Sequence, residues 1–295
     1  MKQNNDYMIR GIDKEGNFRF FGANTKTLVD TACESHQTSP VVSAALGRTL
    51  TGVAMMGHML KNDRDRVCII IKGDGPIGGI VVEASGAGKV KGYAYNPHID
   101  LPLNEFGKLD VAKAVGNAGM TVIKDLGLKE PYSGQVPMLS GEIAEDMSFY
   151  FAVSEQTNSV VMLGVLVDVD CSIKQAGGII IQVLPNAKDG AITALENKIK
   201  EFKSLTERLE KGQSIEYVLE QLLGEIDIMD RSEVAFECDC SKERMEKALI
   251  TVGKKDLLEM AEEDGQAEIV CPFCSSKYLF SKEELEELAE YASKK

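Results

Sequence analysis

The sequence predicts an α+β protein in three parts: an N-terminal domain of mixed helix and strand (residues 1–185), an amphipathic helical linker (186–231) and a small C-terminal α+β domain (232–295). Three observations carry this reading. Before Pro185, strand-like and helix-like stretches alternate, as runs of strands such as VCIIIKG and GGIIIQVL with a few interspersed helices. After Leu184-Pro185 the chain becomes highly charged, with apolar residues at helical spacing. In the last part, two short strand-like runs flank a pair of cysteines.

Taken in order, NFRFFGANT (Asn17 to Thr25) alternates with aromatic residues and predicts a strand. Ser39-Pro40 pairs an N-cap residue with proline at the first helical position, and launches a helix through VVSAALGRTLTGVAMMGHML toward Lys61. That segment is apolar on most faces, so a buried central helix is expected. VCIIIKG and IGGIVVEA, joined by DGP, lead through SGAG to VKGYAY as a meander of strands. GEIAEDMSFYFAVSE (Gly141 to Glu155) predicts a helix, and VVMLGVLVDVD and GGIIIQVL two more strands.

From Ala191 to Lys211, Ile192, Leu195, Ile199, Phe202 and Leu209 fall at three-four spacing, which predicts one amphipathic helix closed by Gly212. SIEYVLEQLLG predicts a second, ending at Gly224; their apolar stripe needs a surface to cover. In the third part, Met245, Ala248, Leu249 and Val252 share one face of a helix that Gly253 stops, and LLEMAEEDG forms another. AEIV and KYLF are strands flanking the turn CPFC. Ser281 to Glu284 matches a capping box before a last helix carrying Leu285, Leu288 and Tyr291.

A hydrophobic fraction of 44% supports a real core. The opening MKQNNDY has none of the apolar h-region of a secretory signal, and VVMLGVLV (Val160 to Val167) is too short to span a bilayer. A soluble, intracellular protein with no membrane partner is expected. The net charge of −13 repels phosphate backbones, so no nucleic-acid partner is expected.

GDGPIGG lacks the Gly-Lys-Ser/Thr ending of a phosphate loop and precedes a strand, so it predicts a hairpin turn. Ser140, Ser154 and the histidines His36, His58 and His98 show no nucleophile-elbow or triad spacing. Glu142, Glu145 and Asp146 are expected on a solvated helix face, and MMGHML in core packing. Cys33 and Cys68, in apolar surroundings, are expected as buried thiols, and Cys171 also falls outside any motif. No catalytic constellation assembles, and the expectation is that the protein is not an enzyme.

The remaining four of seven cysteines form Cys-x-Cys (Cys238, Cys240) and Cys-x-x-Cys (Cys271, Cys274), with thirty residues between the pairs. A Cys-x-x-Cys turn converges two sulfurs on one ion, a second pair completes a tetrahedron, and Zn²⁺ accepts four thiolates. The histidines all lie in the first domain, so one zinc held by Cys238, Cys240, Cys271 and Cys274 is the simplest reading. Spacing alone favours a purely structural metal. Cys-x-Cys, however, is unusual among structural zinc pairs, and zinc-held thiolates are the form that reacts with oxidants. Two other readings stand beside it. A dithiol oxidoreductase also uses Cys-x-x-Cys, yet no thioredoxin-like βαβ setting precedes CPFC. A zinc-ribbon nucleic-acid module is opposed by the sixteen acidic and nine basic residues from 232 to 295.

CDCSKER followed by CPFC resembles the zinc centre of the redox-regulated heat-shock chaperones of about thirty-three kilodaltons. RFFGANT, SPVVSAALGRTL, GDGPIGGI, YNPHIDLPL, GKLDVAKAVG, KDLGLKEPYSG and SGEIAEDMSFYFAVSEQ, in this order, are similar to that family's N-terminal domain, so the resemblance covers almost the whole chain. It implies an ATP-independent holdase of the bacterial cytoplasm, inactive when reduced and zinc-bound. Oxidation then forms two disulfides, implied here as Cys238–Cys240 and Cys271–Cys274, and expels zinc. The C-terminal unit unfolds, the linker loosens, the chain dimerises, and hydrophobic surface captures unfolded clients. The N-terminal domain is thereby implied as the client-binding and dimerisation part, and the C-terminal domain as the redox switch.

Overall fold

The computed structural model describes residues 5–292, so the first four residues of the MKQNNDY stretch lie outside it, as do residues 293–295. The chain divides into two compact units at Glu237/Cys238. The first unit opens with strands β1 (Tyr7–Asp13) and β2 (Phe18–Asn24), then helices α1 (Lys26–His36) and α2 (Pro40–His58). The meander β3 (Arg66–Gly73), β4 (Gly79–Ser85) and β5 (Lys89–Ala94) follows. Next come α3 (Val111–Val115), the pair β6 (Ala118–Asp125) and β7 (Tyr132–Pro137), and α4 (Ile143–Val153). The pair β8 (Ser159–Val167) and β9 (Ile173–Val183) precedes α5 (Asp189–Glu201), α6 (Leu205–Glu210) and α7 (Ile215–Leu223). Strands β10 (Ile226–Glu233) and β11 (Ala235–Phe236) close the unit. The second unit holds α8 (Lys242–Val252), α9 (Lys254–Glu263), β12 (Gln266–Val270), β13 (Lys277–Ser281) and α10 (Lys282–Ala292). The fold class is α+β, as the sequence predicts.

Two sheets build the first unit. One has the order β10-β1-β2-β9-β8 and the other β11-β5-β4-β3-β6-β7. All neighbours are antiparallel except β11 and β5. Helix α2 packs on both sheets, and Pro40 and Arg48 alone in it escape full burial. Its composition explains the fit. A Cβ on Gly47 would meet a Val29 methyl at 2.5 Å and one of Val165 at 2.9 Å, so only glycine lets these elements approach. Ser39 and Pro40 occupy the positions expected at its start. The Ser39 hydroxyl does not cap the helix, however; it accepts the Ile99 N–H at 3.3 Å.

The first sheet is buried on both faces. Met8, Phe21, Ala23, Ala176 and Ile180 enter the core around α2, whereas Ile9, Phe18, Phe20, Ile179 and Ile181 enter a second core with α5, α6 and α7. A strand buried twice reads as a continuous apolar run, which is why GGIIIQVL shows no alternation. The helices after Pro185 thus cover the outer face of this sheet with Leu195, Leu205, Leu209, Ile215, Val218 and Leu219.

Four expectations change in detail. The helix expected from Ala191 to Lys211 is two helices, because Phe202 is extended and Ser204 caps α6 by accepting the Glu207 N–H at 3.3 Å. Ser204-Leu-Thr-Glu207 is itself a capping sequence inside the helical pattern. Residues 226–231, within the expected linker, belong to β10, which pairs with β1. Asp146 is not on a solvated helix face. It is 1% exposed and accepts N–H bonds from Leu139 at 2.6 Å and Ser140 at 3.2 Å. Tyr291 and Val252 are exposed, at 66% and 45%, whereas Leu285 and Leu288 are buried.

Other expectations hold. GDGPIGG is the turn between β3 and β4, where the Asp74 carboxylate accepts the Asn117 N–H at 2.7 Å. Met55, Met56 and His58 are buried. In the second unit, Ser281 and Glu284 form the reciprocal box: Ser281 N–H donates to Glu284 Oε2 at 2.9 Å and Glu284 N–H to Ser281 Oγ at 3.4 Å.

Candidate metal centre

Two local structures of the second unit bring the four sulfurs together. Cys238 and Cys240 lie on the extended segment that precedes α8, whose N-cap Ser241 accepts the Arg244 N–H at 3.4 Å. Arg244 returns an Nη1 donation to the Asp239 carbonyl at 2.9 Å, fixing the residue between the two thiols. Cys271 and Cys274 lie in the turn joining β12 to β13. There Cys271 N–H donates to Ser276 O and Ser275 N–H to Cys271 O, both at 2.9 Å. Ser275 takes a left-handed φ of 58°, which closes the knuckle and aims both thiols to one side.

All four Sγ atoms lie within 4.8 Å of one another. Cys238 and Cys271 are 3.7 Å apart, and Cys240 and Cys274 3.3 Å apart. A tetrahedral ion with metal–sulfur bonds of about 2.3 Å requires sulfur edges of about 3.8 Å, so the set fits Zn²⁺. None of the cysteines is in a disulfide, which needs about 2.05 Å. Cys271 is buried and the other three are half-buried.

Two residues that the sequence reading leaves outside the site touch it. Tyr278 donates its hydroxyl to Cys240 Sγ at 3.0 Å, and the Ser276 hydroxyl lies 3.2 Å from Cys274 Sγ. Such outer contacts orient metal ligands. The only signal was position, two and four residues after Cys274. Hydrogen bonding to Cys240, with burial second, pushes the Tyr278 phenol up to about 12. Burial holds the Cys238 and Cys271 thiols above the ordinary range. At Cys274 burial also pushes upward, but hydrogen bonds with Ser276 and its neighbouring thiols outweigh it and bring the group down to about 7.

Across the centre, Lys242 pairs with Glu284 and lies 5.1 Å from the Phe280 ring, tying the start of α8 to β13 and α10. Because Cys-x-x-Cys stands on a β-hairpin turn, it lacks the helix N-terminus that activates the thiols of dithiol oxidoreductases. Cys33 is buried, Cys68 half-buried and Cys171 exposed, and none joins the cluster.

Fold and site together define a two-unit α+β protein whose small second unit gathers four cysteine sulfurs closely enough to hold a metal ion. A profile described as "Hsp33 protein" matches residues 6–281. The "33 kDa chaperonin" of Agathobacter rectalis is 48% identical over 285 residues, covering 96% of this chain and 99% of that protein. That of Clostridioides difficile is 48% identical over 286 residues, covering 96% and 98%. The crystal structure of the 33 kDa chaperonin from Thermotoga maritima superposes with a TM-score of 0.92 at 37% identity, covering 98% of this chain and 99% of that one. The chain belongs to the Hsp33 family, a family of chaperones. No helix among the described residues is long and apolar enough to cross a membrane.

Proposed function

We propose that this protein is a redox-regulated, ATP-independent holdase of the bacterial cytoplasm, with one Zn²⁺ per chain on Cys238, Cys240, Cys271 and Cys274 in its reduced, inactive form. The observation that carries the reading is the gathering of four thiols, and no other potential ligand type, within 4.8 Å in a unit with a small core. When bound, zinc holds the sulfurs as thiolates and ties two segments of chain together.

The chain's own residues supply the rest. Each disulfide forms as two thiolates give two electrons to a peroxide, which takes up two protons and leaves as two waters. The pairing follows the family resemblance, Cys238–Cys240 and Cys271–Cys274, and mapping peptides of oxidised protein tests it. The two shortest sulfur distances run between the pairs, so proximity does not select it. Loss of the four-sulfur tie frees residues 238–292, loosens the linker helices α5–α7, and exposes the apolar face beneath them to unfolded clients. Residues 1–185 carry client binding and the homodimer contact of the active form. The acidic second unit supports clients that are proteins and not nucleic acids.

Light scattering from a heat-unfolding client tests the proposal. Peroxide-oxidised protein, with zinc released, suppresses scattering at near-equimolar ratio, and reduced zinc-bound protein hardly does. Equal suppression by both removes the switch and leaves a constitutive holdase; no suppression by either removes the holdase.

A further inference from the structure

Beyond the end of α2, a cleft of about 600 Å³ opens within the first unit, a size typical of small-ligand sites. Ile12, Phe21, Met59, Leu60 and Leu184 form much of its wall. Arg10, Arg19 and Lys124 also line it, against the single carboxylate of Glu155, in a chain of net charge −13. Lys124 pairs with Glu155, and Arg10 with Asp230 at 3.4 Å. Arg19 differs. Its Nε donates to Gln182 Oε1 at 2.7 Å, and among the described residues it pairs with no carboxylate. Gln182 is 1% exposed and is held in turn by donating to Ser159 Oγ at 2.9 Å. The guanidinium of this exposed residue is thus held at Nε, with its terminal nitrogens open.

A second cleft, of about 460 Å³, shares Arg19 and Leu184 with the first. Its wall is more polar, adding Gln156, Thr157 and Asn158. Arg19 therefore stands where an apolar chamber meets a polar one. We propose that this double cleft binds one single-chain anionic amphiphile, with its hydrocarbon tail in the first chamber, its anionic group on Arg19, and any larger head in the second. Charge complementarity selects the anion, since a guanidinium oriented by a neutral amide keeps its full charge for a ligand. The chemistry is shared by a free fatty acid, whose carboxylate ends at Arg19, and by a lysophosphatidate, whose glycerol phosphate extends past it. This inference does not depend on the holdase reading.

The test uses full-length, reduced, zinc-loaded protein and displacement of a fluorescent polyene fatty acid below micellar concentrations. Dodecanoate displaces the probe at one site per chain, and affinity falls about fourfold for each methylene removed toward octanoate. Dodecanol binds at least about tenfold more weakly, which one charge-assisted contact accounts for. Dodecanoyl lysophosphatidate binding more tightly than dodecanoate assigns the second chamber to the head; equal binding assigns the site to free fatty acids. Arg19→Glu and Leu60→Trp each weaken binding about tenfold or more, one at the charge and one by filling the chamber. Lys129→Glu, the same charge change at an exposed loop residue outside both clefts, leaves binding unchanged. Equal affinity for alcohol and carboxylate, non-saturating uptake, or an Arg19→Glu protein with native unfolding temperature and unchanged binding overturns the proposal.

Discussion

At the residue scale, the same chemistry takes opposite roles according to burial. Asp146 belongs to the acidic run Glu142, Glu145 and Asp146, which reads as a solvated face, and Glu145 is indeed exposed. The Asp146 carboxylate instead turns back to satisfy two backbone donors of the preceding loop, and Ser140 Oγ stands 3.3 Å from it. Asp146→Ala orphans those groups and is expected to cost about 1–3 kcal/mol, read as a lower denaturant midpoint at unchanged m-value. Sequence could not separate Asp146 from Glu145, because only the path of the loop decides which carboxylate meets the N–H groups. The cysteines divide in the same way. Cys68 is pushed up to about 11, by burial first and Glu83 second, and burial raises Cys33 as well. A thiol well below its pKa gains about tenfold in thiolate per pH unit, so Cys68 alkylation should climb steadily between pH 7 and 9. Cys171, exposed in the β8–β9 turn, should label first, and peptide mass spectrometry of timed samples checks both orders.

At the scale of elements, legibility followed burial pattern and local chemistry. α2 was readable because its run is apolar on all sides and opens on Ser39-Pro40, and the capping box of α10 because its two partners stand three residues apart. β10 was not, since IDIMDRSE is half-exposed and charged, and its place comes from the free edge of β1. The linker helices were legible as an amphipathic stripe, while the surface they cover was not, because that surface is assembled from β1, β2 and β9. Their attachment is close. A Cβ on Gly22 of β2 would meet an Ile215 methyl of α7 at 2.4 Å, so glycine lets α7 sit directly on the sheet. Leu219 is fully buried there, and truncation of a buried leucine costs about 2–5 kcal/mol. Because α7 is only nine residues long, that loss is expected to appear as local opening. Hydrogen exchange on Leu219→Ala should rise across α5–α7 and stay native in α2. If the proposed function is right, the reduced variant also gains part of the oxidised form's suppression of client scattering. Exchange that rises equally everywhere would mean instead that the linker helices and the central core unfold as one.

At the scale of the whole molecule, two units of unequal self-sufficiency are joined in one chain. In the first, two sheets close around α2 and a second core lies beneath the linker helices, neither involving the cysteine centre. In the second, 58 residues from Cys238 to Lys295, the buried cluster is Leu249, Leu257, Ala261, Phe280, Leu285, Leu288 and Ala289. Domains below about 70–80 residues seldom draw more than about 3–5 kcal/mol from such a core. Structural zinc in small metal-folded peptides contributes about 10–16 kcal/mol, so the zinc proposed for the four sulfurs would outweigh the packing. Exchanging it for disulfides between Cys238 and Cys240 and between Cys271 and Cys274 recovers little, since each closes a very short loop. Neither bond would hold the segment before α8 to the β12–β13 turn, which is the connection the four-sulfur cluster makes. Oxidation with metal removal is therefore expected to unfold residues 238–292 and leave α2 and both sheets of the first unit protected. Hydrogen exchange, compared segment by segment between reduced zinc-loaded and oxidised protein, decides it. Rapid exchange in α8, α9 and α10 beside native protection in α2 is the expected result. Native protection of α9 and α10 after metal loss would mean that the leucine and phenylalanine core suffices, and that zinc release carries no unfolding signal.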